Sequence, residues 1–184
     1  MESAGLKEWA IVCEAIGRGQ QSVILRKGGI AEGRAGFAFR HPEFFLFPTF
    51  FHEQLRKTRL SDAEIPKERE GEIEIRFFAR IVAAKEIISW EKIAALEPLH
   101  ILRQSVVRER FDYDDRPSLH VALVRAFRLE PGWIFPDSPG YGGCRSWVTL
   151  PEPPAETRFE PVCTDQEYER RAKAFHDLTC SCGL

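Results

Sequence analysis

No run of about 18 apolar residues occurs in the 184-residue sequence, so nothing in it reads as a membrane-spanning helix. The opening Met1-Glu2-Ser3 lacks the basic and apolar stretches of an export signal, which points to a cytoplasmic protein. Cysteines are few and odd in number, five in all, which argues for thiols or metal ligands rather than a disulfide framework. Neither the G-x-x-x-x-G-K-S/T spacing of a phosphate-binding loop nor H-E-x-x-H is present. Charge of one sign is not in excess: Lys+Arg number 26 and Asp+Glu 28, a net of -2, which excludes a polybasic nucleic-acid binder. Lysine is the rarer cation, 7 against 19 Arg. Arginine suits bidentate contacts to phosphate or carboxylate, although a GC-rich genome would give the same bias.

What is present reads as one globular unit with a tail. Residues 150–184 hold four cations and seven anions, so the body is near neutral and any nucleic-acid surface must be a local patch. Helical spacing of Leu6, Trp9, Ala10, Cys13 and Ile16 predicts a first helix over 3–16, capped by Ser3. Residues 22–27 read as a short buried strand and 44–47 as a second. Thr49 is placed to cap a helix over 50–58. Period-two alternation over 72–82 sets Ile73, Ile75, Phe77, Ala79 and Ile81 on one face of a strand and charged residues on the other. Ser89 caps a helix over 90–96, residues 104–111 are helical, and 119–129 and 146–150 are strands. The prolines 151, 153 and 154 begin an extended arm, and Thr164 or Asp165 caps a last amphipathic helix. The expected fold is α+β, a mixed, curved or barrel-like sheet with flanking helices. Residues 1–150 form the domain, and 151–184 are an arm and a helix packing on it.

Four constellations could carry chemistry. Arg26-Lys27-Gly28-Gly29-Ile30 delivers two cations into a Gly-Gly turn, where successive backbone N–H groups make an anion-binding concavity. The plainer alternative is a hairpin turn with solvated cations. Half of the 14 phenylalanines fall between Phe37 and Phe51, bordered by His41, His52 and Glu53; they serve either as core or as stacking platforms, and the histidines fit structure better than a metal. Tyr141-Gly142-Gly143-Cys144-Arg145-Ser146-Trp147 repeats the Gly-Gly-plus-cation logic, with Cys144 either a thiol nucleophile near a histidine or a structural thiol. Cys163, His176, Cys180 and Cys182 supply zinc-type ligands, but a docked terminal helix with a frayed end explains them better, and no metal or other cofactor is expected. The acids of 72–76 lack the lysine that a metal-dependent nuclease core needs.

Four segments in this order, Leu6-Lys7-Glu8-Trp9, Leu25-Arg26-Lys27-Gly28-Gly29-Ile30, Phe45-Leu46-Phe47-Pro48-Thr49-Phe50-Phe51-His52 and Gly143-Cys144-Arg145-Ser146-Trp147, resemble the bacterial domain-of-unknown-function family 1802 over residues 4–150. That family has no established activity. Some members are joined to restriction-endonuclease catalytic domains, so the resemblance implies a role beside a nuclease, in restriction or defence.

The resulting expectation is a domain that recognises DNA, RNA or a nucleotide, with a nuclease subunit as a possible partner and no membrane. Arg26, Lys27 and Arg145 would contact phosphate, Gly28, Gly29 and Gly143 would permit close approach, and Thr49, His52, Tyr141 and Trp147 would line the pocket. Barrels that read modified bases divide labour similarly, by fold-level analogy only. Two other classes remain: a small hydrolase of nucleoside or nucleotide derivatives using Lys27 with Glu74, or Cys144 with a histidine, and a protein-interaction adaptor.

Overall fold

A computed structural model describes residues 3–27, 37–60 and 66–180. Its elements run β1 (Ser3–Trp9), α1 (Ala10–Gly17), β2 (Val23–Arg26), β3 (Glu43–Thr49), β4 (Glu72–Ile87), α2 (Trp90–Ala95), α3 (Gln104–Phe111), β5 (Leu119–Pro136), β6 (Trp147–Leu150), β7 (Arg158–Pro161) and α4 (Asp165–Cys180). Short 3-10 turns lie at Leu55–Lys57, Glu97–Leu99 and Pro139–Tyr141. Among the described residues the strands make one mixed sheet in the order β2-β5-β4-β3-β1-β6. β1 and β3 are parallel, and the other pairs are antiparallel.

The sheet curls because its two longest strands bend. β4 and β5 pair along nearly their whole length, but the register shifts between Ile75 and Phe77 and again between Ile81 and Ala83. Such bulges bend a strand and increase its twist. β5 carries β4 on one edge and, on the other, β2 followed by β7. The α+β class with a curled mixed sheet is therefore as expected. No described helix is long and apolar enough to cross a membrane.

Several local expectations change. Residues 3–9 are a strand, not the first turns of a helix: β1 buries Ala4, Leu6 and Glu8 and is hydrogen-bonded to β3 on one side and β6 on the other. Helical spacing at Leu6 and Trp9 could not separate the two states, because α1, which follows at once, is buried on every side. Residues 50–58 form turns with the single 3-10 turn Leu55–Lys57, and Thr49 caps nothing; its hydroxyl donates to the Glu8 carbonyl at 3.1 Å. The even alternation read for β4 breaks at the first bulge. Ile73, Ile75 and Phe78 join one apolar cluster, whereas Phe77, Ala79 and Ile81 join the other. Within the proline arm, β7 pairs with β5. The Ser89 cap is present, its hydroxyl accepting from the Lys92 N–H.

The larger apolar cluster lies between the sheet and its helices. The smaller one packs rings on the opposite face: Phe45, Trp133 and Phe135, with Phe78 and Tyr141 at its margins. Centroids 4.8–5.8 Å apart link Phe78, Phe45, Trp133, Phe135, Tyr141 and Phe47 in a continuous row.

Candidate functional site

The end of β2 and the turn 142–146, distant in sequence, meet. Arg26 Nη2 donates to Ser146 Oγ at 2.7 Å and Nη1 to the Lys7 carbonyl at 3.1 Å. Nη1 also lies 3.7 Å from Glu8 Oε2, a carboxylate only 2% exposed. Phe37 covers the guanidinium at 5.4 Å. Arg26 thus ties one edge of the curled sheet to the other and is engaged inside the fold. Lys27 is engaged too. Its ammonium donates to the carbonyls of Arg116 at 2.6 Å and Ser118 at 3.2 Å, and pairs with Asp114 at 2.9 Å. That hydrogen bond is the main reason the Asp114 carboxyl titrates below its ordinary range. Gly28 and Gly29 lie outside the described residues.

On the same seam, Lys7 reaches over the turn. Its Nζ donates to the carbonyls of Gly142 at 3.2 Å and Gly143 at 3.1 Å, and Gly143 takes the positive φ (77°) that glycine adopts without strain. Burial, and then the positive charge of Arg145, lower the Lys7 pKa, against the pull of Cys144 and Asp137. Arg145 itself is exposed, with no ion pair or side-chain hydrogen bond among the described residues. Two cations, one tethered and one free, therefore stand together.

Lys7 borders a cleft of about 1140 Å³ whose walls also include Thr49, Tyr141, Phe47, Glu14 and Arg76. Glu14 pairs with Arg76 and lies 3.7 Å from Arg18. On the opposite lip Arg69 meets Glu72 at 3.1 Å and Glu74 at 3.9 Å, so that lip is of mixed charge. Cys13 is in the wall as a thiol, because burial, reinforced by Glu8 and Glu14, raises its pKa well above the ordinary value. Behind the wall a buried polar network fixes the backbone. Gln54 Oε1 accepts from the Ile11 N–H at 3.0 Å, and Gln54 Nε2 donates to the Thr49 carbonyl at 2.8 Å.

Of the residues singled out in the sequence, Thr49 and Tyr141 line this cleft; Gly143, whose carbonyl accepts from Lys7, and the exposed Arg145 follow the lining residue Gly142 on the turn and are not themselves part of the wall. His52 is exposed on a turn and does not line it. Trp147 is half-buried and does not line it either: its indole N–H donates to the Ala38 carbonyl at 3.1 Å, and the ring packs against Phe37, His41 and Phe44. Of the tail residues, Cys163 is half-buried, while His176 and Cys180 are exposed; Cys180 accepts from Lys85 Nζ at 3.4 Å, and Cys182 lies outside the described residues. No group of three or more metal-type ligands forms among the described residues. Lys7, Glu14, Gln54 and Arg76 were not foreseen. The signal for Lys7 was its place in the Leu6–Trp9 segment, which reads differently as a strand than as a helix.

A model of the family described as Domain of unknown function (DUF1802) matches residues 5–174. The chain belongs to this family. The DUF1802 match runs from within β1 through β7 to most of α4, so it goes past the proline arm where the resemblance read from motifs stopped. No curated protein matches. Among solved structures, ASCH from Zymomonas mobilis is similar at TM-score 0.48 and 13% identity, covering 82% of this chain and 89% of that one. A point mutant of the same protein gives TM-score 0.48 at 12% identity over the same shares.

Proposed function

We propose that this domain recognises nucleic acid or a nucleotide through phosphate contacts at the seam. The observation that carries the reading is Lys7, in the wall of the cleft and hydrogen-bonded to the turn that carries the exposed Arg145. Two neighbouring cations repel each other, and a phosphate placed between them relieves the repulsion; a third N–H on Lys7 and the Arg145 fork are available to it. Thr49 and the Tyr141 ring stand on the wall behind, where a sugar or base would lie. Arg26 and Lys27, which pattern alone would also assign to phosphate, hold the frame instead. A role beside a restriction or defence nuclease is supported by the family resemblance alone; co-expression with a neighbouring nuclease subunit tests it.

The test is fluorescence anisotropy with labelled single-stranded RNA and DNA over a salt series. Two phosphate contacts give a log–log slope of about -1.4. Lys7→Met with Arg145→Glu removes binding and leaves the melting temperature near that of the parent. Binding that ignores salt and both substitutions overturns the proposal, as does a complete absence of binding.

A further inference from the structure

A second hollow, of about 700 Å³, shares no lining residue with the cleft. Its floor is a cross-strand row of rings: Phe45 of β3 is opposite Phe78 of β4, and Phe78 is opposite Phe127 of β5. Phe159 of β7 stands over the row, its centroid 5.0 Å from that of Phe78 and inclined at 68°. Phe78 and Phe127 are on central strands, where a ring is ordinarily covered, yet both stay half-exposed, and Phe159 is 42% exposed. The volume falls within the roughly 300–1,000 Å³ that ligand pockets span, and apolar walls with a few polar groups at the rim are their usual make-up.

The rim chooses among ligands. Arg80 Nε donates to Glu43 Oε1 at 2.6 Å, and Glu152 adds a second carboxylate. A phosphate or carboxylate would face two acids and one cation already paired. A simple cation would compete with the guanidinium groups of Arg80 and Arg125, which already lie 5.7 and 5.9 Å from the Phe127 centroid. What fits is flat and uncharged, with donors and acceptors on its edge to meet the carboxylates and Arg80. We propose that this hollow binds an uncharged planar heteroaromatic ring of nucleobase size, stacked on Phe159 and edge-on to Phe78, with its polar edge toward Glu43 and Arg80. This site is separate from the phosphate-binding seam and stands or falls without it.

The experiment titrates the isotope-labelled full chain with adenosine, guanosine, cytidine and uridine and follows the amide resonances by NMR. At least one nucleoside produces saturable shifts centred on β4, β5 and β7. Phe159→Ala, an exposed change that leaves the circular dichroism intact, weakens that binding about 10-fold, as expected for one lost stacking face, whereas Phe159→Trp retains it. The Lys7→Met, Arg145→Glu variant binds the nucleoside like the parent, so failure of the seam and failure of this pocket are told apart. Competition by an oligonucleotide of the same base identifies a base within a strand as the source, and its absence a free nucleoside; either supports the pocket. No saturation by any of the four up to their solubility limits overturns it, as does saturable binding that Phe159→Ala leaves unchanged.

Discussion

The Arg26 guanidinium donates to the Ser146 hydroxyl at 2.7 Å, joining the end of β2 to the residue that leads into β6. These strands stand at opposite ends of the sheet order, so this bond spans the opening of the curl. Beneath it lies Glu8, 2% exposed, whose carboxylate also accepts from the Trp9 N–H at 2.8 Å. The seam is therefore held by a charged group that has left water, and its partner cannot be removed cheaply. Arg26→Ala is expected to cost about 1–3 kcal/mol, because it leaves the buried Glu8 to Arg110 alone and takes a donor from the Lys7 carbonyl, while Ser146→Ala costs about 1 kcal/mol. Adding Glu8→Gln to Arg26→Ala recovers part of the loss. Urea unfolding of the two single variants and the pair checks this; a loss below about 1 kcal/mol for Arg26→Ala would show that the seam is held by other contacts.

Gln54 performs a similar service within the chain. The first N–H groups of a helix have no partner inside it, and α1 begins in the interior, where water cannot supply one. The Gln54 side chain, itself fully buried, accepts from Ile11 and donates to Thr49, binding helix α1 to the end of β3. Gln54→Ala leaves two backbone groups unsatisfied and is predicted to destabilise by roughly 2–4 kcal/mol. Gln54→Glu keeps an acceptor for Ile11 and, while protonated, an O–H donor for the Thr49 carbonyl, but on ionisation it loses that donor and buries a charge. It ranks between Ala and the parent only at pH low enough to keep the new carboxyl neutral. Denaturation at two pH values reads both effects.

The sequence was most legible where one physical signal acted alone. Ser89 before an apolar turn, the alternating run that opens β4, and the stripe on α4 each produced the expected element. It misled where two elements abut without punctuation: β1 passes into α1 between Trp9 and Ala10 with no glycine or proline, and both are buried, so apolar spacing carried no period. The long β5 hid its bulge because the residues that make it, Leu129 to Gly132, are marked only by lying between Arg128 and Trp133, the partners of Phe77 and Ile75. In the candidate site, the turn motif at 141–147 points to Tyr141 and the Phe45–His52 segment to Thr49, both of which line the cleft. Nothing local in the sequence shows that the Lys7, Arg116 and Ser118 carbonyls and the Ser146 hydroxyl take up the donors of Arg26 and Lys27.

Gly17 shows how closely α1 sits on the sheet. A Cβ at this position would come within 2.1 Å of the Phe77 ring, and that ring is 2% exposed with no room to withdraw. The backbone itself would tolerate alanine, so the penalty is one of packing. Gly17→Ala is expected to cost about 1–3 kcal/mol or more. Combining it with Phe77→Leu, which trims the ring, should be less damaging than the sum of the two single changes. A thermal double-mutant cycle gives the answer: additive losses would mean that helix and strand do not touch here.

His100 sets a stability limit on the acid side. It is 3% exposed, and its Nδ1 accepts from the Leu102 N–H at 3.2 Å, which requires that nitrogen to be unprotonated. Burial first, and then the charges of Arg59 and Arg110, lower its pKa from 6.5 to about 4. Between those values the unfolded chain binds the proton and the folded one does not. Stability is therefore complete above about pH 6.5 and is lost as the pH falls toward 4, by up to roughly 3 kcal/mol. Carboxylates also titrate toward the lower end of that window, so the comparison that isolates the histidine is with His100→Asn, whose side-chain oxygen can take the same N–H without titrating. The parent should lose about 2–3 kcal/mol more than His100→Asn between pH 7 and pH 4.5 in urea unfolding. Parallel curves for the two proteins would mean that the folded state protonates His100 as readily as the unfolded chain does.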